Sequence, residues 1–251
     1  MKIVVGEQIY TPELIIFDKD GTLIEFDLLW HGWWRHVLST LRAEINLTPP
    51  LMAGISETLG FDEPRDYWQP EGPLTLATIP DIRVLIAGLL YRYSALPWGA
   101  CTALVNRVEE QAYDTMEVAE YVRPIGDARA LLQSMRVAGI RLAVATSDLR
   151  RITEPSLQAA ELDDLFEMVL CADDGVATKP APDAALAICA QLGIPPERAL
   201  MVGDSVDDLK MATAAGMLAG IGVSTGANPA ELLARYADVV VPDIHHLRMI
   251  P

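Results

Sequence analysis

Short apolar runs alternate with amphipathic stretches near the start of the chain and again from Arg123 onward. Each run is three or four residues long, apolar throughout, and has the character of a strand buried on both faces. The predicted strands are residues 14–17, 142–145, 168–170, 199–202, 218–221 and 239–241. Stretches with helical spacing lie between these runs, at residues 127–138, 154–162, 183–192, 207–215 and 229–235. Strands that alternate with helices predict an α/β fold, a parallel sheet with helices on both faces.

The pattern changes between Asp27 and Val122. Trp30, Trp34 and Leu38 recur at helical spacing, and further amphipathic stretches follow near residues 85–90 and 104–112. This spacing is more simply explained by the core of a helical bundle than by substrate contacts. We therefore predict a smaller, all-helical domain at residues 27–122, inserted in an α/β core formed by residues 1–26 and 123–251. Linkers near residues 24–27 and 121–124 would let it move relative to the core.

Composition narrows the range of partners. The net charge is −16, with only four lysines among 251 residues, so binding to nucleic acid or to an anionic membrane is not expected. Three cysteines without C-x-x-C spacing indicate neither a disulfide framework nor a zinc site. The chain has no apolar run long enough to span a membrane and no signal peptide pattern, so we expect a cytoplasmic protein. Its oligomeric state cannot be predicted.

Two aspartates, Asp18 and Asp20, directly follow the first predicted strand in the sequence I-I-F-D-K-D-G-T-L. Carboxylates ~4 Å apart repel by ~4 kcal/mol at an effective dielectric constant near 20. A shared proton, a basic neighbour or a metal ion must offset that repulsion. The alternative is a simple turn, because Asp-Gly is a favourable turn dipeptide.

Polar residues also follow three other predicted strands. Thr146 and Ser147 come after residues 142–145, Lys179 lies in the loop after residues 168–170, and Asp204 follows residues 199–202, with Asp208 about one helical turn later. Each has a structural alternative: a helix cap for the hydroxyls or Asp204, and a solvated loop charge for Lys179. Parallel strands bring their carboxyl ends to one edge, where ligands bind in such sheets, so these side chains are expected to form a single site.

These segments, in this order, resemble the four motifs of the haloacid dehalogenase-like (HAD) hydrolase superfamily. The segments are D-K-D-G-T at 18–22, T-S at 146–147, K-P at 179–180 and G-D-S-V-D-D at 203–208. The helical segment resembles the cap that this family inserts after its first motif. The longer strings F-D-K-D-G-T-L, T-K-P-A-P-D and V-G-D-S are similar to its phosphoglycolate phosphatase-like branch. The resemblance implies a Rossmann-like core and a phosphatase that acts on a small phosphorylated metabolite.

The resemblance also implies a role for each matching residue. Asp18 would attack phosphorus and form an aspartyl-phosphate, and Asp20 would protonate the leaving oxygen and then activate water. Thr146, Ser147 and Lys179 would bind the phosphoryl group, with Lys179 also neutralising Asp18.

The metal implied by the resemblance is Mg²⁺, a cation that prefers hard oxygen ligands. Its ligands would be the Asp18 carboxylate, the main-chain carbonyl of Asp20 and the Asp204 carboxylate. Asp208 would contribute directly or through water.

Other reactions of the same superfamily are less compatible with the sequence. Dehalogenases lack an aspartate at the position of Asp20, and phosphonate hydrolysis uses a lysine of the cap, whereas no lysine lies between Lys19 and Lys179. A phosphomutase of the β-phosphoglucomutase type stays open, as does a non-catalytic binding protein on the same fold.

Overall fold

The structure, a computed structural model, describes residues 1–65, 67–69 and 72–250. Its strands are β1 (Lys2–Val5), β2 (Gln8–Tyr10), β3 (Leu14–Phe17), β4 (Phe61–Asp62), β5 (Tyr67–Trp68), β6 (Arg141–Ala145), β7 (Met168–Leu170), β8 (Ala199–Gly203), β9 (Ala219–Val223), β10 (Val239–Val241) and β11 (Leu247–Ile250). Its helices are α1 (Phe26–Glu44), α2 (Pro49–Leu59), α3 (Pro73–Leu76), α4 (Ile79–Tyr93), α5 (Trp98–Thr115), α6 (Ala128–Val137), α7 (Arg150–Ala159), α8 (Asp183–Leu192), α9 (Val206–Ala214) and α10 (Ala230–Leu233).

The chain divides into two compact units. One contains Met1–Leu29 and Glu117–Pro251, and the other contains Trp30–Met116. These bounds lie close to the predicted ones at residues 27 and 122. That the second unit acts as a cap stays a prediction. No helix among the described residues is both long and apolar enough to cross a membrane.

A six-stranded parallel sheet forms the centre of the first unit, in the order β10-β9-β8-β3-β6-β7. Alternate residues of β3 enter two hydrophobic clusters, Ile15 and Phe17 in one and Leu14 and Ile16 in the other. Helices α6 and α7 contribute to the first cluster, whereas α8 and α9 contribute to the second. The strand is apolar throughout because both of its faces are covered, and the predicted α/β class is confirmed.

Most predicted element bounds agree with the structure to within two residues, but α7 does not. The prediction starts this helix at Glu154, just before Pro155, whereas it begins at Arg150. The main-chain N–H of Arg150 donates to Oδ1 of Asp173, 2.9 Å away, in the loop after β7. A carboxylate from a distant loop therefore accepts a hydrogen bond from the first N–H group of the helix. No local sequence signal predicts this contact.

A second, antiparallel sheet was not predicted. Strands β1 and β2 form a hairpin, and β11 pairs with the other edge of β1, with Val5 opposite Leu247. Ile3 and Val5 are fully buried in the same cluster as Phe17. The two ends of the chain are thus joined by a pairing that local periodicity cannot show.

The second unit is mainly helical. Trp34 and Leu38 of α1 are buried, which confirms their assignment to a helical core. The expectation that this region is entirely helical is wrong in one detail, because β4 and β5 pair over two residues each, with Phe61 opposite Trp68. Phe61 lies edge-on to both Trp34 and Trp68, with ring centroids 6.0 and 5.7 Å apart. These aromatic contacts stabilise the pair formed by β4 and β5. Two residues are too few to show the alternation of apolar and polar residues that predicts a strand.

The burial of β1 generates a stability prediction. Ile3 is fully buried, whereas Ile9, in the neighbouring strand, is 59% exposed. Ile3→Ala should lower the free energy of unfolding by about 2–5 kcal/mol, since it removes buried methyl groups and leaves a cavity. Ile9→Ala should lower the free energy of unfolding by less than about 1 kcal/mol, because an exposed position loses only strand propensity. Urea unfolding followed by circular dichroism measures both, and equal losses would contradict the packing of β1 against the core.

Candidate active site

The structure brings four of the predicted site residues together at the carboxyl edge of the parallel sheet. Asp18 follows the central strand β3, and Asp204 follows its neighbour β8. Lys179 arrives from the loop between β7 and α8, and Asp208 lies in the first turn of α9. Their side chains meet because β3 and β8 run parallel and in register, with Phe17 opposite Val202.

Lys179 bridges two carboxylates. Its Nζ lies 2.6 Å from Oδ1 of Asp18 and 2.6 Å from Oδ1 of Asp208, and its side chain is only 6% exposed. The alternative of a solvated loop charge is therefore wrong. Burial alone would lower the pKa of Lys179, but the carboxylates of Asp18 and Asp208 raise it above its ordinary value, so the ammonium stays charged.

The carboxylates of Asp18, Asp204 and Asp208 form a compact acidic group. One oxygen of each lies within 4.8 Å of the others, and all three residues are buried. Burial raises the pKa of Asp18 and raises that of Asp204 well above the ordinary range. Lys179 opposes the rise for both residues, whereas Asp208 adds to it. A single lysine therefore does not neutralise the group, and a bound proton or a further cation must offset the remaining repulsion.

Asp204 is not a helix cap, contrary to the structural alternative. The N-cap of α9 is Ser205, whose hydroxyl accepts from the main-chain N–H of Asp208. The Asp208 carboxylate in turn accepts from the N–H and hydroxyl of Ser205 through Oδ2, at 3.1 and 2.7 Å. This reciprocal capping box fixes Asp208, so its other oxygen, Oδ1, faces Lys179.

A loop that the sequence analysis did not single out holds Asp204. The main-chain N–H of Ala227 donates to Oδ2 of Asp204 at 2.6 Å, while Thr22 donates to Oδ1 at 3.3 Å. A Cβ on Gly226 would lie 2.0 Å from that same Oδ2, and a Cβ on Gly21 would lie 2.7 Å from the Gly226 Cα. Glycine at both positions allows this close approach. In the sequence, this loop is indicated by the string S-T-G-A-N at 224–228, directly after β9.

The two hydroxyl residues behave differently from each other. Thr146 is buried, and its Oγ1 accepts from the main-chain N–H of Asp148 at 3.1 Å. This is a local turn contact and not the helix cap of the structural alternative, because the N-cap of α7 is Leu149. A hydroxyl that accepts one hydrogen bond can still donate another, so Thr146 stays available to a phosphoryl oxygen. Ser147 is exposed.

Asp20 has its own basic partner, which the sequence analysis missed. The Nζ of Lys19 bonds to Oδ1 of Asp20 and lies 2.9 Å from Oδ2 of Asp148. Burial raises the pKa of Asp20 well above its ordinary value; Lys19 opposes that rise and Asp148 adds to it. A carboxyl with a raised pKa can hold a proton near neutral pH, as a general acid requires.

Comparison with known proteins places this geometry in a family. The model of the haloacid dehalogenase-like hydrolase family matches residues 12–216 of this chain. The chain belongs to the haloacid dehalogenase-like hydrolase family. The expected resemblance is thereby confirmed, and the matched range includes Asp18, Asp20, Lys179, Asp204 and Asp208.

Relatives with names of their own extend the comparison. The "Putative pyrophosphatase PpaX" of Caldanaerobacter subterraneus subsp. tengcongensis is 27% identical over 237 residues, which cover 94% of this chain and 93% of that protein. The phosphoglycolate phosphatase of Nitrosospira multiformis is 36% identical over 117 residues, but these cover only 45% of this chain and 50% of that enzyme.

Among solved structures, a "predicted phosphoglycolate phosphatase" from Haemophilus somnus 129PT aligns with a TM-score of 0.69 at 22% identity. The alignment covers 93% of this chain and 95% of that one. At this level of identity the likeness shows a shared fold.

Membership of this hydrolase family implies a divalent metal ion. The group formed by the carboxylates of Asp18, Asp204 and Asp208 fits such an ion. Three buried carboxylates with converging oxygens supply the hard, anionic donors that Mg²⁺ prefers. Burial raises the pKa of Asp18 and of Asp204, which indicates that their negative charge is poorly compensated without a metal ion. The residues that would hold the ion are Asp18, Asp204 and Asp208, with the Asp20 carbonyl implied by the resemblance.

Mg²⁺ should therefore stabilise the folded protein by mass action. At a concentration about 100 times the dissociation constant, the expected gain is about 2.7 kcal/mol. Asp204→Asn removes one anionic donor and should abolish most of the shift in melting temperature. Asp207→Asn, three residues later on the exposed side of α9, is the matched control and should keep it. An unchanged melt of the wild type in millimolar Mg²⁺ would count against the site.

The raised pKa of Asp204 generates a pH prediction for the metal-free protein. A carboxyl whose pKa is higher in the folded state binds more protons there than in the unfolded chain, so its contribution to stability falls as pH rises. Asp204→Asn cannot titrate. In a chelator at pH 8 the variant should therefore be more stable than the wild type, and this difference should shrink towards pH 5, by up to about 1.4 kcal/mol per pH unit. A difference independent of pH, measured by urea unfolding, would contradict the assigned burial.

Proposed function

We propose that this protein is a magnesium-dependent phosphatase that hydrolyses a small phosphomonoester through an aspartyl-phosphate on Asp18. The observation that carries the proposal is the pairing of Asp18 with Lys179, beside the carboxylates of Asp204 and Asp208. Membership of a hydrolase family and the phosphatase names of its relatives support the reaction class. The metal, the individual roles and the substrate are the proposed part.

Asp18 is the proposed nucleophile. Its Oδ1 is held 2.6 Å from the Lys179 ammonium, which favours the ionised form and fixes the carboxylate. A carboxylate oxygen bonds to phosphorus as the ester P–O bond breaks, and the bonding pair leaves with the alcohol oxygen. When bound, Mg²⁺ would act as a Lewis acid and offset the negative charge of Asp18 and of the phosphoryl group.

Asp20 is the proposed proton carrier. In the first step its proton passes to the departing alcohol oxygen, which would otherwise leave as a strongly basic alkoxide. In the second step the ionised Asp20 takes a proton from water as that water attacks the phosphorus of the aspartyl-phosphate. The P–O bond to Asp18 then breaks, which releases inorganic phosphate and regenerates the Asp18 carboxylate. The raised pKa of Asp20 supports this double use, because the protonated form is available at the start of the cycle.

Phosphoryl binding is assigned to Lys179 and to the loop after β6. Thr146 is buried and can donate its hydroxyl, and Ser147 is exposed at the same strand end. Lys179 would offset the charge that develops on the equatorial oxygens in the transition state. Because the whole chain carries a charge of −16, an anionic substrate depends on these local donors for attraction.

The named relatives support two kinds of substrate. One is named for pyrophosphate and matches 94% of this chain in sequence, whereas the phosphoglycolate phosphatase of Nitrosospira multiformis matches 45% of it. We propose a small phosphomonoester, phosphoglycolate-like or a sugar phosphate, with residues 27–122 acting as the cap that selects it. A substrate panel should therefore include pyrophosphate, ranked by kcat/KM with Mg²⁺ present.

The same panel separates the alternatives. Isomerisation of a sugar phosphate that requires a bisphosphate activator would indicate a phosphomutase. Failure to hydrolyse p-nitrophenyl phosphate with Mg²⁺ would indicate a binding protein.

The two aspartates should lose different functions when each is changed to asparagine. Asp18→Asn removes the attacking carboxylate and should abolish turnover and phosphoenzyme formation. Asp20→Asn removes the proton donor, and general acid catalysis by such a donor contributes about 10²–10⁴-fold to the rate. Its loss should be large for an alkyl phosphate and small for p-nitrophenyl phosphate, whose leaving group is stable without a proton. Phosphoenzyme should then accumulate from the aryl substrate, because water activation is also impaired.

The measurement is kcat/KM for the aryl and the alkyl substrate, with acid-quenched phosphoenzyme as a second readout. Equal losses on both substrates would mean that Asp20 does not act as the general acid.

A further inference from the structure

Lys19 is a fully buried lysine between the two aspartates of the first motif. Its side chain is 0% exposed, and its ammonium contacts the carboxylates of Asp20 and Asp148, whose side chains are 10% and 11% exposed. Asp148 directly follows the T-S motif, so this contact joins the loop after β3 to the loop after β6. The proposed chemistry of Asp18, Lys179 and Asp204 makes no use of it.

Stability alone does not account for this arrangement. A buried ion pair often adds little or nothing to folding, because removing both charges from water offsets their attraction. Ordering a lysine side chain also costs conformational entropy. An apolar residue at position 19, with an uncharged one at 148, would fill the same space without these costs. The ion pairs therefore suggest a role for the ammonium beside Asp20.

Asp148 is a fixed anchor for the lysine. Its main-chain N–H donates to Oγ1 of Thr146 at 3.1 Å, and its main-chain carbonyl accepts from the N–H of Ala172 at 2.9 Å. With its backbone held on both sides, the Asp148 carboxylate can hold the flexible Lys19 side chain in one place. Lys19 then bonds to Oδ1 of Asp20, which restricts rotation of that carboxyl.

We infer that Lys19 and Asp148 are positioning residues that hold the Asp20 carboxyl in the orientation needed for proton transfer to the leaving oxygen. The ammonium of Lys19 contacts Oδ1 of Asp20, and this contact limits the orientations open to that carboxyl. Proton transfer depends steeply on the placement of donor and acceptor, and a misplacement of about 1 Å can cost about 10²-fold. This inference rests on the proposed function, because it assumes that Asp20 is the general acid.

The test uses the leaving group to separate positioning from a general structural role. Lys19→Met keeps the length of the side chain but removes its ammonium, and Asp148→Asn keeps the shape of the anchor but removes its charge. Both should lower kcat/KM for glycerol 3-phosphate, by about 10–100-fold for Lys19→Met and less for Asp148→Asn. The loss for p-nitrophenyl phosphate should stay below about 3-fold, since that substrate needs no proton. Lys2→Met and Asp207→Asn, at exposed positions, are the matched controls and should leave both rates unchanged.

Combination with Asp20→Asn sharpens the test. If Lys19 acts through Asp20, adding Lys19→Met to Asp20→Asn should cause no further loss that is specific to the alkyl substrate. The Mg²⁺-induced shift in melting temperature should be the same in Lys19→Met, Asp148→Asn and the wild type, because the ion pairs of the Lys19 ammonium are with Asp20 and Asp148, and the main-chain contact of Lys19 with Asp18 is kept in both variants. If Lys19→Met fails to fold, Asp148→Asn decides, since it leaves the contact between Lys19 and Asp20 in place.

The possible failures are distinguishable. Equal losses on both substrates, or a lost response to Mg²⁺, would overturn the inference and assign Lys19 to the architecture of the whole site. A selective loss in Asp20→Asn but not in either positioning variant would overturn it while leaving the proposed function intact. A wild type without activity on either phosphate ester would overturn the proposed function, and the inference with it.

Discussion

Repulsion between buried carboxylates is the constraint on which the organisation of this site depends. Asp18, Asp204 and Asp208 converge at one edge of the sheet, and burial raises the pKa of the first two. Lys179 offsets part of the repulsion by contacting Asp18 and Asp208. The repulsion that Lys179 does not offset is the reason for proposing Mg²⁺ at this site. A site that is electrostatically incomplete without a cation can bind that cation tightly and use it against the charge of a phosphoryl group.

The fold provides the rigidity that such a group of like charges requires. The central strand β3 is buried on both faces, and its in-register neighbour β8 fixes the distance between their ends. Main-chain groups then orient the carboxylates: the N–H of Ala227 holds Asp204, and the capping box of Ser205 holds Asp208. Gly226 permits the close contact with Asp204. Main-chain groups thus help to fix Asp204 and Asp208, whereas Asp18 is held by the ammonium of Lys179.

Two lysines divide the acidic residues into two functional sets. Lys179 contacts the proposed nucleophile, Asp18, and Asp208 of the proposed metal site, whereas Lys19 contacts the proposed proton carrier, Asp20, and Asp148. Each lysine opposes the rise in pKa that burial causes in its aspartate, so the lysines alone do not distinguish the two tasks. Asp148 adds to the rise at Asp20, and a raised pKa suits the residue that must hold a proton.

The sequence by itself determined the elements whose signals are local. Apolar runs buried on both faces identified the six strands of the parallel sheet, and four ordered motifs identified the family and the residues Asp18, Lys179 and Asp204. The tertiary structure alone decided the pairing of β1 with β11, the start of α7 at a distant carboxylate, and the contact of Lys19 with Asp148. These features join segments far apart in the chain. Local periodicity records which face of an element is buried, but not which distant group will lie against it.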